Sequence, residues 1–139
     1  MKGPQEPCVI DANILLRFFT NDIPEQASHC TELLKRLEAG TEQVFLPDLI
    51  LADVVWTLER FYKQPKTKIR DILTPILALK GLQFSSKALA RRALQFYVDK
   101  NIDWTDAFVA SQMLSKKYRH IYSYDKDFDK VQDIHRLEP

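Results

Sequence analysis

A short apolar run, Cys8-Val9-Ile10, stops at Asp11, and helical spacing begins directly after it with Ile14, Leu15, Phe18 and Phe19. No other stretch limits the fold as tightly. An unbroken apolar run is how a strand covered on both faces reads, and such strands belong to parallel sheets flanked by helices. The chain therefore predicts a buried strand feeding a helix. In open sheets of this kind, ligands bind outside the carboxyl ends of the strands, and Asp11 stands at that end. Two roles suit it there. One is the N-cap of the following helix; the other is a charge that faces solvent or a cation. The motif alone does not choose between them.

The same alternation continues. Residues 43–46, 81–84 and 120–123 read as further strands, and residues 134–137 as a short edge strand. Between them, helices are expected over residues 12–19, from Pro24 to Gly40, from Pro47 to about Tyr62, over 67–79 with Pro75 kinking or restarting it, over 88–98 with Ser85 or Ser86 as cap, and from Asp103 to about Lys117. Strands alternating with helices predict an α/β fold, a parallel sheet covered on both faces. Right-handed crossovers then place the carboxyl ends of all the strands on one edge. A length of 139 residues suits a single domain, residues 1–139, and no repeat or linker interrupts it.

Composition mostly excludes. A net charge of +1 provides no global field that would draw nucleic acid, so any such argument rests on local charge. The two cysteines, Cys8 and Cys30, form no C-x-x-C, and no His-x-x-x-His occurs, which argues against a zinc site of thiolates or imidazoles. Sparse cysteine fits a reducing, cytoplasmic setting. Residues 1–7 lack the apolar core of a secretory leader. The longest apolar stretch, residues 49–56, is broken by Asp53 and is too short to cross a membrane.

The carboxylates carry the chemistry. Asp53 has Leu49, Ile50, Trp56 and Thr57 three or four positions away, so its helix face reads as apolar. An unpaired charge buried there would cost several kcal/mol, which calls for a partner or a cation; a bond to a backbone amide or a lysine would serve equally. Asp103 and Asp106 share a helix face. Asp103 reads as an N-cap, whereas Asp106 precedes the small residues Ala107, Ala110 and Ser111, which leave room for a close approach. Asp125-Lys126-Asp127-Phe128-Asp129 superficially resembles a calcium loop, but Lys130 and Arg136 stand where an EF-hand needs Gly and Glu. Asp129 reads as a solvated turn residue. Asp11, Asp53, Asp106 and Asp125 thus come from four elements, each near an expected sheet edge. Brought together they would raise one another's pKa, and a divalent cation removes that penalty. Oxygen-only ligands point to Mg²⁺ or Mn²⁺. Such ions hold phosphate oxygens and activate water, so the residues point to metal-dependent phosphodiester hydrolysis.

At this point the chain resembles the PIN-domain family, and within it the VapC-type toxin ribonucleases. Four blocks carry the resemblance in order: Val9-Ile10-Asp11-Ala12-Asn13-Ile14-Leu15-Leu16-Arg17, Leu51-Ala52-Asp53-Val54-Val55-Trp56-Thr57-Leu58-Glu59, Asp103-Trp104-Thr105-Asp106-Ala107, and Tyr122-Ser123-Tyr124-Asp125-Lys126-Asp127-Phe128. The resemblance implies a three-layer α/β/α sandwich with four to five parallel strands in the order 3-2-1-4-5. It also implies an acidic pocket for Mg²⁺ or Mn²⁺ and endonucleolytic cleavage of RNA. It carries the catalytic and metal roles onto Asp11, Asp106 and Asp125, with Asp103 and Asp127 as lesser members. Asn13 and Ser123 match positions that orient the site or substrate. One departure matters: Asp53 stands where the family has Glu, one methylene shorter. Direct coordination there would become water-mediated, with weaker activity.

An acidic pocket repels RNA, so cationic rims are needed. Arg60, Lys63, Lys66, Lys68 and Arg70 form the densest cluster; Lys116, Lys117 and Arg119 form a second, and Arg91-Arg92 a third that reads as an ordinary solvated face. Arg17 follows the first motif closely enough to reach substrate. The resemblance implies two further partners, a small antitoxin and a second copy in a homodimer. Two competing readings remain: a PIN-like module that binds RNA or a partner without cutting, and a phosphoryl-transfer α/β fold. The second lacks its acids, since Asn13 stands where a haloacid-dehalogenase-like site needs Asp, and no acidic pair of a receiver domain precedes Asp11.

Overall fold

A computed structural model describes residues 6–139; residues 1–5, part of the segment read above for a leader, lie outside them. The fold is mixed α/β, and every strand pairing among the described residues is parallel. Contacts group the chain into two compact units, Met1–Ser85 and Ser86–Pro139.

The first unit runs β1 (Cys8–Val9), α1 (Ala12–Thr20), α2 (Pro24–Ala39), β2 (Val44–Phe45), α3 (Asp48–Trp56), α4 (Lys66–Leu77) and β3 (Leu82–Gln83). Its sheet has β2 in the centre, which is the 3-2-1 run of the expected order. Pro24 opens α2 in the first-turn position that proline tolerates. Gly40, at φ 77°, closes α2 in the left-handed conformation, its N–H donating to Arg36 and Leu37 carbonyls. Gly81 is needed for a different reason. Its N–H donates to the Leu37 carbonyl at 2.7 Å and its own carbonyl accepts from Val44 N–H at 2.8 Å. A Cβ there would overlap the Glu42 carbonyl. Leu15, Leu37, Leu46, Leu51, Leu58, Ile69, Leu73, Leu77 and Leu82 are fully buried, and each such side chain contributes about 1.5–3 kcal/mol.

Two expectations change here. The helix from Pro47 does not stay α-helical to Tyr62, because it loosens into a π-helical turn at Thr57–Phe61. That turn is closed by Tyr62 N–H donating to the Thr57 carbonyl at 3.1 Å. It leaves Phe61 exposed and lets the Tyr62 hydroxyl donate to Asp22 at 2.6 Å. Pro75 does not restart its helix; it lies inside α4 close to the end.

The second unit runs α5 (Lys87–Asp99), α6 (Trp104–Ser115), β4 (His120–Tyr122), a 3-10 turn (Lys126–Lys130) and β5 (His135–Leu137). Ser86 caps α5 by accepting from Leu89 N–H at 3.2 Å. Helices α5 and α6 pack through Tyr97, which meets Trp104 edge to face with centroids 5.9 Å apart. They also share a bond from the buried Ser111 hydroxyl to the Leu89 carbonyl at 2.8 Å. Strands β4 and β5 pair in register, Ile121 opposite Arg136, the 4-5 pair of the expected order. A parallel pair needs a crossover of about a dozen residues, and the segment holding the 3-10 turn provides it.

Candidate metal centre

In the second unit, the first turn of α6 and the crossover after β4 bring three carboxylates together. Asp106, Asp125 and Asp127 each offer an oxygen, and these oxygens lie within 4.8 Å of one another. Asp106 is placed by helical spacing: Trp104, Ala107 and Ala110 are buried, and Asp106 is half-buried on the flank of that face. The small alanines beside it are what the sequence pattern led us to expect.

Asp125 and Asp127 are placed by a hydrogen-bonded turn. Asp125 N–H donates to the Ser123 hydroxyl at 2.9 Å, and Asp127 N–H donates to Asp125 Oδ1 at 2.9 Å. Ser123 therefore shapes the loop that presents the acids. Arg136 on β5 holds the same loop from behind. Its Nε and Nη2 donate to the two Asp129 carboxylate oxygens at 3.1 and 3.3 Å, and its Nη1 donates to the Ser123 carbonyl at 3.1 Å. Glu138 takes a further bond from Nη1 at 2.9 Å. Asp129 is the exposed turn residue expected from sequence, and it also anchors an ion pair with Arg136. Neither Arg136 nor this role for Asp129 carries a sequence signal, because their pairing depends on the path of the crossover.

The electrostatics follow from the crowding. The Asp106 carboxyl is pushed up to about 6 from 3.8, first by burial, then by a hydrogen bond shared with Asp125, then by the charges of Asp125, Asp103 and Asp127. Like charges packed this closely hold a proton that a solvated carboxylate would release. Among the described residues, Asp127 alone of the three pairs with a cation, Lys130 Nζ at 3.1 Å. The donor set is all oxygen, which suits a hard dication. Its 4.8 Å spread is near the ~4.2 Å across an octahedron with bonds of about 2.1 Å. The residues fit such an ion.

Asp103 occupies the N-cap position of α6, but its carboxylate makes no capping bond. Its backbone carbonyl accepts from Ala107 N–H at 2.9 Å. The side chain is exposed and acts on Asp106 through its charge.

The other sequence-derived positions belong to the first unit. Asp11 caps α1, its Oδ1 accepting from Ala12 N–H at 2.8 Å. Asn13 is exposed in the first turn of the same helix. Arg17 is half-buried and donates from Nε to Gln26 Oε1 at 3.1 Å, which ties α1 to α2. Asp53 lies exposed on α3, and Leu49 one turn before it is 79% exposed. The expectation of a carboxylate stranded on a buried face is therefore corrected: Asp53 is exposed to solvent.

A family model described as the PIN domain matches residues 8–134, nearly the whole chain. The chain belongs to the PIN domain family. The PIN match spans both compact units and includes Asp11, Asp53, Asp103, Asp106, Asp125 and Asp127. Among curated proteins, this PIN domain is similar to a VapC ribonuclease of Aquifex aeolicus (strain VF5). The two are 20% identical over 123 residues, which cover 88% of this chain and 90% of the relative. No helix among the described residues is long and apolar enough to cross a membrane.

Proposed function

We propose that this PIN domain is an endoribonuclease that uses Mg²⁺ or Mn²⁺, and that it is the toxin component of a type II toxin–antitoxin pair. The observation that carries the reading is the Asp106, Asp125 and Asp127 cluster, whose oxygens crowd within 4.8 Å and hold Asp106 near 6. The family assignment and the name of the VapC ribonuclease relative support it. In this reading residues 1–139 act as one nuclease domain. Asp11, Asp106 and Asp125 would hold the ion, Asp53 would support them, and Asp103 and Asp127 would contribute charge at its margin. When bound, the ion polarises the scissile phosphate and acidifies water. Asp106 or Asp53 accepts the proton of the attacking water. Ser123 orients the Asp125 loop, while Asn13 and Arg17 position the substrate. A small antitoxin, a homodimer and a cytoplasmic location complete the reading.

The test is cleavage of a mixed RNA pool with Mn²⁺, with Mg²⁺ and with EDTA. Cleavage that needs the ion and is lost in Asp11→Asn and Asp106→Asn variants that still fold supports the reading. Cleavage that persists in EDTA contradicts it. The exposed, shortened acid at Asp53 favours a second reading, a PIN module that binds RNA or a partner without cutting. Binding without any metal-dependent cleavage is the outcome that selects it.

A further inference from the structure

We propose that the second unit carries an RNA-backbone exosite at the end of α6 opposite the acidic cluster. Arg92, Lys117 and Arg119 line a cavity of 190 Å³ there, together with Leu114, Tyr118 and Asp133. In the sequence, Arg92 reads as part of an ordinary solvated helix face, apart from Lys117 and Arg119. The fold puts the three into one concavity. None of them makes an ion pair among the described residues, although Arg92 lies over the Phe96 ring at 5.8 Å.

The cations are presented by ordered backbone. Tyr118 N–H donates to the Met113 carbonyl at 2.8 Å and Lys117 N–H to the Leu114 carbonyl at 3.3 Å, closing the helix. The residue at that closure is in the left-handed conformation that favours glycine, yet it is Lys117, at φ 64°. Arg119 is fixed next to it, its carbonyl accepting from His135 N–H at 2.7 Å.

Charge decides the ligand. Three cations face one carboxylate, Asp133. The carboxyl end of α6 subtracts only about half a charge. The cavity therefore remains positive and fits a phosphodiester. Tyr118, 64% exposed between Lys117 and Arg119, offers a ring on which a base can stack. From Asp106 to Lys117 the helix rise is roughly 16 Å, which at ~3.4 Å per stacked nucleotide is about five nucleotides. A strand held here would be tethered about five nucleotides from the acids, where the repulsion is greatest. The ligand class rests on the nuclease reading, but binding and cleavage can be measured separately.

The experiment is fluorescence-anisotropy titration of labelled single-stranded RNA against full-length Asp106→Asn protein over a range of salt. The triple variant Arg92→Gln, Lys117→Asn, Arg119→Gln should bind at least 10-fold more weakly. Its salt slope should fall by about two, since each neutralised phosphate in a single strand contributes ~0.7. Asparagine is chosen at Lys117 because it tolerates the left-handed backbone. Asp133→Asn should tighten binding, and Lys100→Gln, at the end of α5, should leave it unchanged. Unchanged affinity and slope in a folded triple variant overturn the exosite, as does absence of RNA binding by the parent. Binding through these cations without Mn²⁺-dependent cleavage by the unsubstituted protein keeps the exosite and removes the nuclease reading. Cleavage with the triple variant's affinity intact does the reverse.

Discussion

The acids of the two units live in different electrostatic surroundings. In the first, Asp11 is satisfied by the Ala12 amide and Asp53 is solvated, so each is comfortable where it stands. In the second, Asp106, Asp125 and Asp127 crowd one another, and the Asp106 carboxyl rises to about 6 to relieve the repulsion. A carboxylate that already has a partner gains little from a cation. One that shares a proton with its neighbour gains much. On the proposed function, the crowded acids of the second unit therefore gain more from an ion than Asp11 and Asp53 do.

The largest expected effect breaks the crowd itself. Asp106→Asn should lower Mn²⁺-dependent cleavage by about 10²-fold or more, since an ion supplies several kcal/mol of charge stabilisation. Asp53→Asn, measured in the same assay, should cost less, about 10-fold, as expected for an acid acting through water. An equal loss in both variants would erase the distinction between the units. Asp53→Glu restores the missing methylene and should raise activity a few-fold.

Arg136 sharpens the comparison from behind the loop. Arg136→Gln leaves every acid in place but releases Asp129 and the Ser123 carbonyl. Groups that orient ligands in this way are worth about 10–100-fold in ion affinity. The expected result is a raised Mn²⁺ requirement with kcat at saturating ion largely retained. A fall in kcat that excess ion does not restore would place Arg136 elsewhere in the mechanism.

The smallest effect is on stability, read in EDTA. Asp106 titrates near 6 when folded and near 3.8 when unfolded, so the folded state binds its proton more tightly. That contribution is fully present below about pH 3.8 and is lost as pH rises through about 6. The group is half exposed and screened, so the shift is modest. The Tm of Asp106→Asn minus that of the unsubstituted protein should increase from pH 4 to pH 7 by a few degrees. A difference that is flat across this range would mean that the carboxyl is not held up by its neighbours.

The features legible in the sequence were those with a local period. The alternation of strands and helices, and Asp106 beside small residues on a helix flank, follow from spacing within one element. The run into Asp11 does form β1, but Cys8 and Val9 are exposed and Ile10 is buried, so the expected fully buried strand is corrected: an apolar run does not show that both faces are covered. The 3-2-1 run and the 4-5 pair match the order that the resemblance to the PIN-domain family implies, not one that spacing dictates. The missed features depend on neighbours the sequence does not specify. Asp53 reads as buried because its helical neighbours are apolar, but a hydrophobic face says nothing about whether it is covered. Asp129 reads as a free turn residue because its partner, Arg136, arrives only after the crossover. Arg92 reads as solvated because Lys117 and Arg119 lie on other segments of the chain. The π-helical turn at Thr57–Phe61 interrupts a stretch whose composition is ordinary for an α-helix.

The proposal turns on a divalent cation held by Asp106 and Asp125, with Asp127 at its margin. Calorimetric titration of Mn²⁺ into the full-length protein, with Asp106→Asn and Asp125→Asn alongside, tests this most directly. The account predicts saturable binding that either substitution weakens by at least 10-fold while the melting transition stays cooperative. Mn²⁺ affinity unchanged in both folded variants would contradict it.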